Sequence, residues 1–327
     1  MEELLAGLRA AAEATRVRIL FVLSHGEFNV SELTQILGQS QPRVSRHLKL
    51  MTEAGLITRH KEGNWVLFRA REQELGGALS RAIVDLLPGA DAELARDLGR
   101  LQEVRQTRAE ISARYFRDNA PRWEDLRSLH VREQDVELAM RRLAGPAQFK
   151  LHLDLGTGTG SVLRLFAPQA GQSIGIDSSR DMLAIARLNL EKENLRHAQV
   201  RHGDIYALPF ADGSCDFITI HQVLHYLDDP ARALAEAVRV LAPGGRMLIT
   251  DFAPHDLEKL RELHAHRRLG VSSEDMAPWL ARANVTLARH DVLPPPWRKD
   301  ETGLTVSLWL AEKTAAHKEQ PAMMPAR

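Results

Sequence analysis

The sequence predicts a mixed α/β chain in two parts, and three observations carry that prediction. Short helical segments followed by two β-prone runs fill residues 1–88. From residue 149 onward strand-like and helix-like segments alternate, the pattern of a parallel sheet with crossover helices. A glycine-rich turn, Asp154-Leu155-Gly156-Thr157-Gly158-Thr159-Gly160, stands at the end of the first of those strands. The 327 residues suffice for two domains. The 43 basic and 43 acidic side chains cancel, which argues against indiscriminate nucleic-acid coating and against a disordered acidic chain. Cys215 is the one cysteine, so an internal disulfide framework and an all-cysteine zinc site are excluded. No apolar run approaches the ~20 residues that span a bilayer. The start, MEELLAGLRAAAEATRVRIL, lacks the basic region and apolar core of a signal peptide. A soluble, cytoplasmic protein is expected.

The elements follow in order. Leu4, Leu5, Leu8 and Ala12 recur at helical spacing, and Val17, Ile19, Leu20 and Leu23 mark a second helix that Gly26 breaks. Ser31 is the expected N-cap of a third helix ending at Gly38. Ser40 caps a fourth, with Pro42 in its first turn and Gly55 beyond its end. Two β-prone runs flank Glu62-Gly63-Asn64 as a hairpin, and Leu75 to Leu87 form another helix. Residues 89–148 read as a helical connector with cap helices, and 149–313 as the sheet-bearing domain. Strands are expected at 151–156, 173–177, 198–204, 216–221 and 246–252, then an antiparallel one in TVSLWLAEK after Pro294-Pro295-Pro296. Residues 314–327 are expected to be a disordered tail.

The fourth helix has the make-up of a DNA-reading element. Val44, Leu48 and Met51 share one face, while Gln41, Arg43, Ser45, Arg46 and His47 lie off it. Arginine suits guanine and phosphate, and glutamine suits adenine. Between residues 40 and 71 seven basic residues face two acidic ones, a local positive excess on a neutral chain. A solvated amphipathic helix without a DNA role would share part of this pattern. The Thr15–Leu20 opening, the Gln41–Leu56 helix and the Arg59–Arg69 hairpin resemble the winged-helix repressors of the ArsR/SmtB family. That resemblance implies a winged helix–turn–helix fold and a homodimer joined through about Glu3–Glu13 and Glu72–Leu87. It also implies operator DNA as partner, with Gln41, Arg43, Ser45, Arg46 and His47 in the major groove and Lys61 or Asn64 of the wing on the backbone. The family's metal sensors carry two cysteines on the third helix. Here the stretch reads Glu27-Phe28-Asn29-Val30-Ser31-Glu32-Leu33, so thiolate ligands are missing and no metal is expected.

The glycine-rich turn admits several ligands. A dinucleotide fingerprint would place its third glycine at Ser161, and no Lys-Ser/Thr follows to make a phosphate loop. An acid before the glycines, Asp177 ending the second strand and Asp204 after the third describe a nucleoside site. Together with Gly175–Leu183, Gly203–Phe210 and Leu241–Arg246 this resembles the class I S-adenosylmethionine-dependent methyltransferases, over about residues 112–313. The resemblance implies a Rossmann-like, seven-stranded sheet with its last strand antiparallel. It puts Asp154, Gly156, Thr157, Gly158 and Gly160 at the methionine part of the ligand. Asp177 falls on ribose, Met182 on the adenine face, Asp204 and Ile205 at the adenine edge, and His221 toward the methyl-donor sulfur. Tyr115 and Trp123 either close the pocket from above or are plain core aromatics.

Two functions are compatible with these motifs. In the first, S-adenosylmethionine or S-adenosylhomocysteine is the signal that biases a DNA-binding dimer, as in the proteobacterial methionine-cycle regulators that the fused architecture resembles. In the second, the chain is a working methyltransferase fused to a DNA-binding domain, with His221 or His225 as candidate base and the acceptor unknown. The absent cysteine pair favours the first, since a replaced signal must enter elsewhere. Nucleic-acid amino-methyltransferase motifs are absent at 219–226, and Cys215 alone cannot hold a metalloid. His255, His264 and His266 read as surface helix residues and not as a metal site.

Overall fold

A computed structural model describes residues 1–62, 65–71, 74–123, 132–295 and 303–314. By contacts the chain forms two units: Met1–Ser112 with Asp256–Leu269, and Ala113–His255 with Gly270–Arg327. The sequence pattern places its divisions at 88 and 148. Asn64, Pro296 and residues 315–327 of the expected tail lie outside the described residues.

In the first unit, helices α1 (Glu2–Ala11), α2 (Ala14–Leu23), α3 (Val30–Leu37) and α4 (Gln41–Glu53) precede the hairpin β2 (Ile57–Glu62) and β3 (Trp65–Ala70). The short strand β1 (Phe28–Asn29) completes the sheet in the order β1-β3-β2, and α5 (Glu74–Asp85) follows. Helix α3 begins two residues before its expected cap. Asn29 is the N-cap, its side chain accepting from the Glu32 N–H while Glu32 accepts from the Asn29 N–H, at 3.0 Å each. This reciprocal capping box outcompetes Ser31, which lies inside the helix.

Helix α6 (Ala92–Asn119) corrects the connector expectation for its first four turns. Leu101 and Val104 are buried in one cluster with Ile19, Leu33, Leu48 and Phe68. Asp97, fully buried, accepts from Arg18 at 2.6 and 2.7 Å, and Arg18 also donates to the Leu37 carbonyl. Arg108 pairs with Glu32 and lies 5.2 Å from the Phe28 ring centre. The helix is therefore core to the first unit.

The second unit is built on a seven-stranded sheet in the order β6-β5-β4-β7-β8-β10-β9. Its strands are β4 (Phe149–Leu155), β5 (Ala170–Asp177), β6 (Ala198–His202), β7 (Cys215–His221), β8 (Leu241–Phe252), β9 (Val285–Leu293) and β10 (Val306–Lys313). The first five run parallel, and β10 pairs antiparallel with both β8 and β9. The fold is thus Rossmann-like with an antiparallel end, and β9 is the strand that sequence reading did not locate. Helices α7 (Glu133–Ala144), α8 (Ser161–Phe166), α9 (Arg180–Lys192), α10 (Pro230–Val240) and α12 (Ser273–Arg282) belong to this unit, whereas α11 (Glu258–His264) belongs to the first. Leu153, Ile174, Ile220, Ile249 and Trp309 form the centre of its core. Among the described residues no helix is long and apolar enough to cross a membrane.

Candidate functional site

Chain reversal in sheet order occurs between β5-β4 and β4-β7, and such a switch point opens a crevice at the carboxyl ends of parallel strands. The carboxyl ends of β4, β5 and β7, with the segments that follow β4, β5 and β6, carry Asp154 to Gly160, Asp177 with Met182, Asp204 with Ile205, and His221. Four neighbouring strands therefore bring the expected nucleoside residues to one edge of the sheet.

The glycine-rich loop is fastened to β5 by backbone groups. Gly156 and Thr157 N–H both donate to the Ile176 carbonyl, at 2.8 and 3.0 Å. Gly156 adopts φ +72°, and a Cβ there would lie 2.4 Å from Val223 Cγ2, so the position admits only glycine. Gly158 N–H donates to Asp177 Oδ2 and Ser179 N–H to Asp177 Oδ1, at 2.8 Å each. Burial pushes the half-buried Asp177 carboxyl up from its ordinary value, against these N–H groups, which hold it down.

Asp154 has a different part from Asp177. It is buried, accepting from Thr157 Oγ1 at 2.6 Å and from Thr219 Oγ1 at 2.7 Å. With the Thr219 proton directed to Asp154, His152 Nε2 at 2.8 Å must be the donor to Thr219. Burial lowers the His152 pKa to about 3, so the imidazole stays neutral. A polar chain thus runs from β4 and β7 into the loop and sets its Thr157 corner. Asp204 is exposed and accepts from the Tyr206 N–H at 2.9 Å, Ile205 packs on the main core, and Met182 is buried in the first turn of α9.

Two histidine–carboxylate pairs stand at the ends of β7 and β8, and their acids were not visible as partners in the sequence. His221 Nε2 lies 3.0 Å from Glu133 Oε1. His225 Nδ1 lies 2.6 Å from Asp251 Oδ1, with both side chains buried. Gln222, between the histidines, holds φ +54°, a conformation rare for any residue with a side chain. His221 Nδ1, Gln222 Nε2 and Thr250 Oγ1 are buried without a hydrogen-bond partner, polar positions that a ligand can satisfy. Trp123 Nε1 lies 3.6 Å from where a Gly158 Cβ would stand, and Phe116 packs on both Trp123 and Tyr226. Trp123 thus lies beside the glycine loop and also packs with Tyr115, Phe116 and Tyr226, as both readings of the aromatics require.

On α4, Gln41, Arg43, Ser45 and Arg46 are exposed, as is Lys61 in the wing, while Val44, Leu48 and Met51 are buried. His47 departs from the expectation. It is turned inward, nine-tenths buried, with Nδ1 3.9 Å from Glu13 Oε2, because its position adjoins the Leu48 stripe. His255 belongs to one unit and His264 with His266 to the other, and among the described residues no three potential metal ligands cluster. Cys215 is buried, its thiol pushed up to about 12 by burial.

Residues 13–59 match the family of bacterial regulatory proteins of arsR type, and residues 153–249 match a methyltransferase domain. The demethylmenaquinone methyltransferase of Thermus thermophilus is 36% identical over 148 residues, covering 42% of this chain and 64% of that protein. The uncharacterized methyltransferase YcgJ of Bacillus subtilis is 30% identical over 142 residues, 43% of this chain and 55% of that one. The match thus spans less than two thirds of either relative. A chain from the complex of the Haloferax volcanii Trm112 methyltransferase activator with its methyltransferase superposes with a TM-score of 0.50 at 21% identity. It covers 61% of this chain and 97% of that one, a likeness of fold. The chain carries an arsR-family helix–turn–helix region at its N-terminal end and a methyltransferase domain in its C-terminal part.

Proposed function

We propose that this chain is a DNA-binding transcriptional regulator, acting as a repressor, whose methyltransferase-fold unit binds S-adenosylmethionine or S-adenosylhomocysteine as the signal. The observation that carries this reading is the use made of Asn29. In the related metal sensors this stretch supplies thiolates, whereas here Asn29 and Glu32 are consumed by the capping box of α3. The signal then has one built cradle to enter, the glycine loop held on Asp177. In that cradle Asp177 would take the ribose hydroxyls, Asp204 and Ile205 the adenine edge, and Met182 its face. Gly156, Thr157, Gly158 and Gly160 would border the methionine part, with Asp154 acting through Thr157 and His221 toward the sulfur. Gln41, Arg43, Ser45 and Arg46 would meet base edges and phosphates, and Lys61 and Asn64 the backbone. Exposed Leu5, Leu8 and Leu75 support a homodimer formed through α1 and α5 in the cytoplasm.

A second reading, an active methyltransferase on a small-molecule acceptor, is favoured by the two histidine–carboxylate pairs. Asp251 at Nδ1 would direct any proton uptake by His225 to Nε2, the arrangement of an oriented general base. When bound, S-adenosylmethionine supplies a sulfonium-activated methyl group.

The test is a mobility-shift titration of the full chain on duplex DNA that it selects from a random library, with each nucleoside added separately. One of the two is expected to change DNA affinity roughly 5- to 150-fold. Asp177→Ala should abolish that response, weakening nucleoside binding about 10- to 100-fold, while leaving basal DNA binding intact. Unchanged affinity with both nucleosides at saturation would sink the sensor reading. Formation of S-adenosylhomocysteine in the presence of cell extract would support the enzyme.

A further inference from the structure

The chain does not pass once from one unit to the other. After His255 it leaves the sheet-bearing unit, contributes Asp256–Leu269 to the first unit, and returns at Gly270. Helix α6 already tethers the two, so a second excursion is unnecessary for linkage. Ordering fourteen further residues also costs conformational entropy that a plain hairpin after β8 would avoid.

Both feet of the excursion are pinned to the end of β8. Val271 N–H donates to the Phe252 carbonyl at 2.8 Å, and Ala253 N–H donates to the Thr305 carbonyl at 2.9 Å. Gly270, at φ +95°, brings the returning strand so close that a Cβ would stand 2.2 Å from the Ala253 carbonyl oxygen. The residue before Phe252 is Asp251, which holds His225. The loop carrying His225 also lays Val223 against Gly156. The feet are therefore rooted in the wall of the candidate nucleoside site.

The returning end of the excursion, just before Gly270, reaches the β2–β3 wing through Glu27. Arg268 Nη1 lies 3.0 Å from Glu27 Oε2, and Arg69 Nη1 lies 3.4 Å from Glu27 Oε1. Arg69 in β3 also donates to Thr58 Oγ1 of β2 at 3.3 Å, so Glu27 addresses both strands of the wing. Arg268 is only 13% exposed and Glu27 22%, where an ion pair is screened less than on the open surface. Such a triad is made or broken as discrete contacts, the property required of a transmitting element.

We propose that Asp256–Leu269 transmits nucleoside occupancy to the wing, with the Arg268–Glu27–Arg69 triad as its contact. The inference rests on the nucleoside reading of the site. A ligand that shifts the end of β8 shifts both feet together. The Arg268 contact then strengthens or releases Glu27, and the wing strands held through Arg69 respond.

Hydrogen–deuterium exchange on the full chain tests this, with S-adenosylhomocysteine and S-adenosylmethionine as separate probes at saturation set by calorimetry. With a bound nucleoside, amides of 256–269 and of the wing, 57–62 and 65–70, are expected to change exchange rate about fivefold or more. Arg268→Ala should keep the calorimetric affinity and the change near residue 253, yet lose the change in the wing; Arg268→Lys should restore part of it. Should Arg268→Ala lower the melting temperature enough to disturb the fold, Glu27→Gln tests the same contact. A wing response that persists in both variants, or a bound nucleoside that leaves 256–269 unaltered, overturns the proposal. No calorimetric binding of either probe overturns the nucleoside reading itself, and the proposal with it.

Discussion

His47 sits on α4, the helix proposed to meet DNA, yet its chemistry is that of the interior. Burial pushes its pKa below the ordinary histidine value, Glu13 draws it up, and Arg16, Arg43 and Arg46 push it further down. The ring is therefore neutral in the folded chain at pH 7. An unfolded histidine titrates near 6.5, so below that pH the unfolded state takes up the proton first. Stability of the first unit should then fall as pH drops through the range just below 6.5, until folded His47 protonates as well. The Glu13 carboxyl is shifted the same way, below its ordinary value. Burial would raise its carboxyl, but the N–H and hydroxyl of Thr15, the Arg16 N–H and His47 outweigh that and hold it below its usual value. Its contribution is present above its unfolded pKa, near 4.5, and is lost as pH falls further. Urea unfolding of the full chain between pH 7.5 and 5 should show the His47 slope, and His47→Gln should flatten it. An unchanged slope in that variant would assign the titration to another group.

At the scale of elements, α6 is where sequence and structure part most. Leu101 is fully buried among the residues of the first unit, so Leu101→Ala should destabilise that unit by about 2–5 kcal/mol. Asp97→Asn, which leaves the buried Arg18 guanidinium half-paired, should cost about 3–5 kcal/mol. Exchange protection of α2 and α3 amides measures both; protection unchanged in the two variants would return α6 to the status of a connector. The sequence could not announce this packing. The partners Arg18 and Asp97 are 79 residues apart, and the charged side chains around Leu101 look like a solvated face until Arg18, Glu32 and the Ile36 carbonyl are brought beside Asp97, Arg108 and Arg100. Helices α1 to α4 and strands β4 to β8 were legible because their apolar spacing or glycine punctuation is local. Strand β9 was not, because it is an edge whose Thr286, Arg289 and His290 face solvent and erase the alternation of a half-buried strand. In the site, the glycine loop, Asp177 and His221 could be read from motif spacing. Glu133 and Asp251 could not, since each pairs with a histidine 88 and 26 residues away.

For the whole molecule, the chain crosses between its units three times, at 112/113, 255/256 and 269/270, and thermodynamics constrains what such a construction can do. If a nucleoside changes DNA affinity by a given factor, DNA must change nucleoside affinity by the same factor, whatever path the coupling takes. Calorimetric titration of S-adenosylhomocysteine into the chain, with and without saturating selected DNA, should reproduce the ratio found by mobility shift within about twofold. The sign of the change identifies the role: tighter nucleoside binding on DNA means a co-repressor, and weaker binding means an inducer. The same comparison separates the sensor from the enzyme. The linkage holds for equilibrium binding and not for turnover, so a methyltransferase consuming S-adenosylmethionine would show matched factors with S-adenosylhomocysteine and mismatched ones with the donor. Matched factors with both nucleosides are expected if sensing is the function, because neither is then converted on the protein. A nucleoside affinity indifferent to DNA, alongside tight binding of both, would mean that the two units share a chain without sharing a signal.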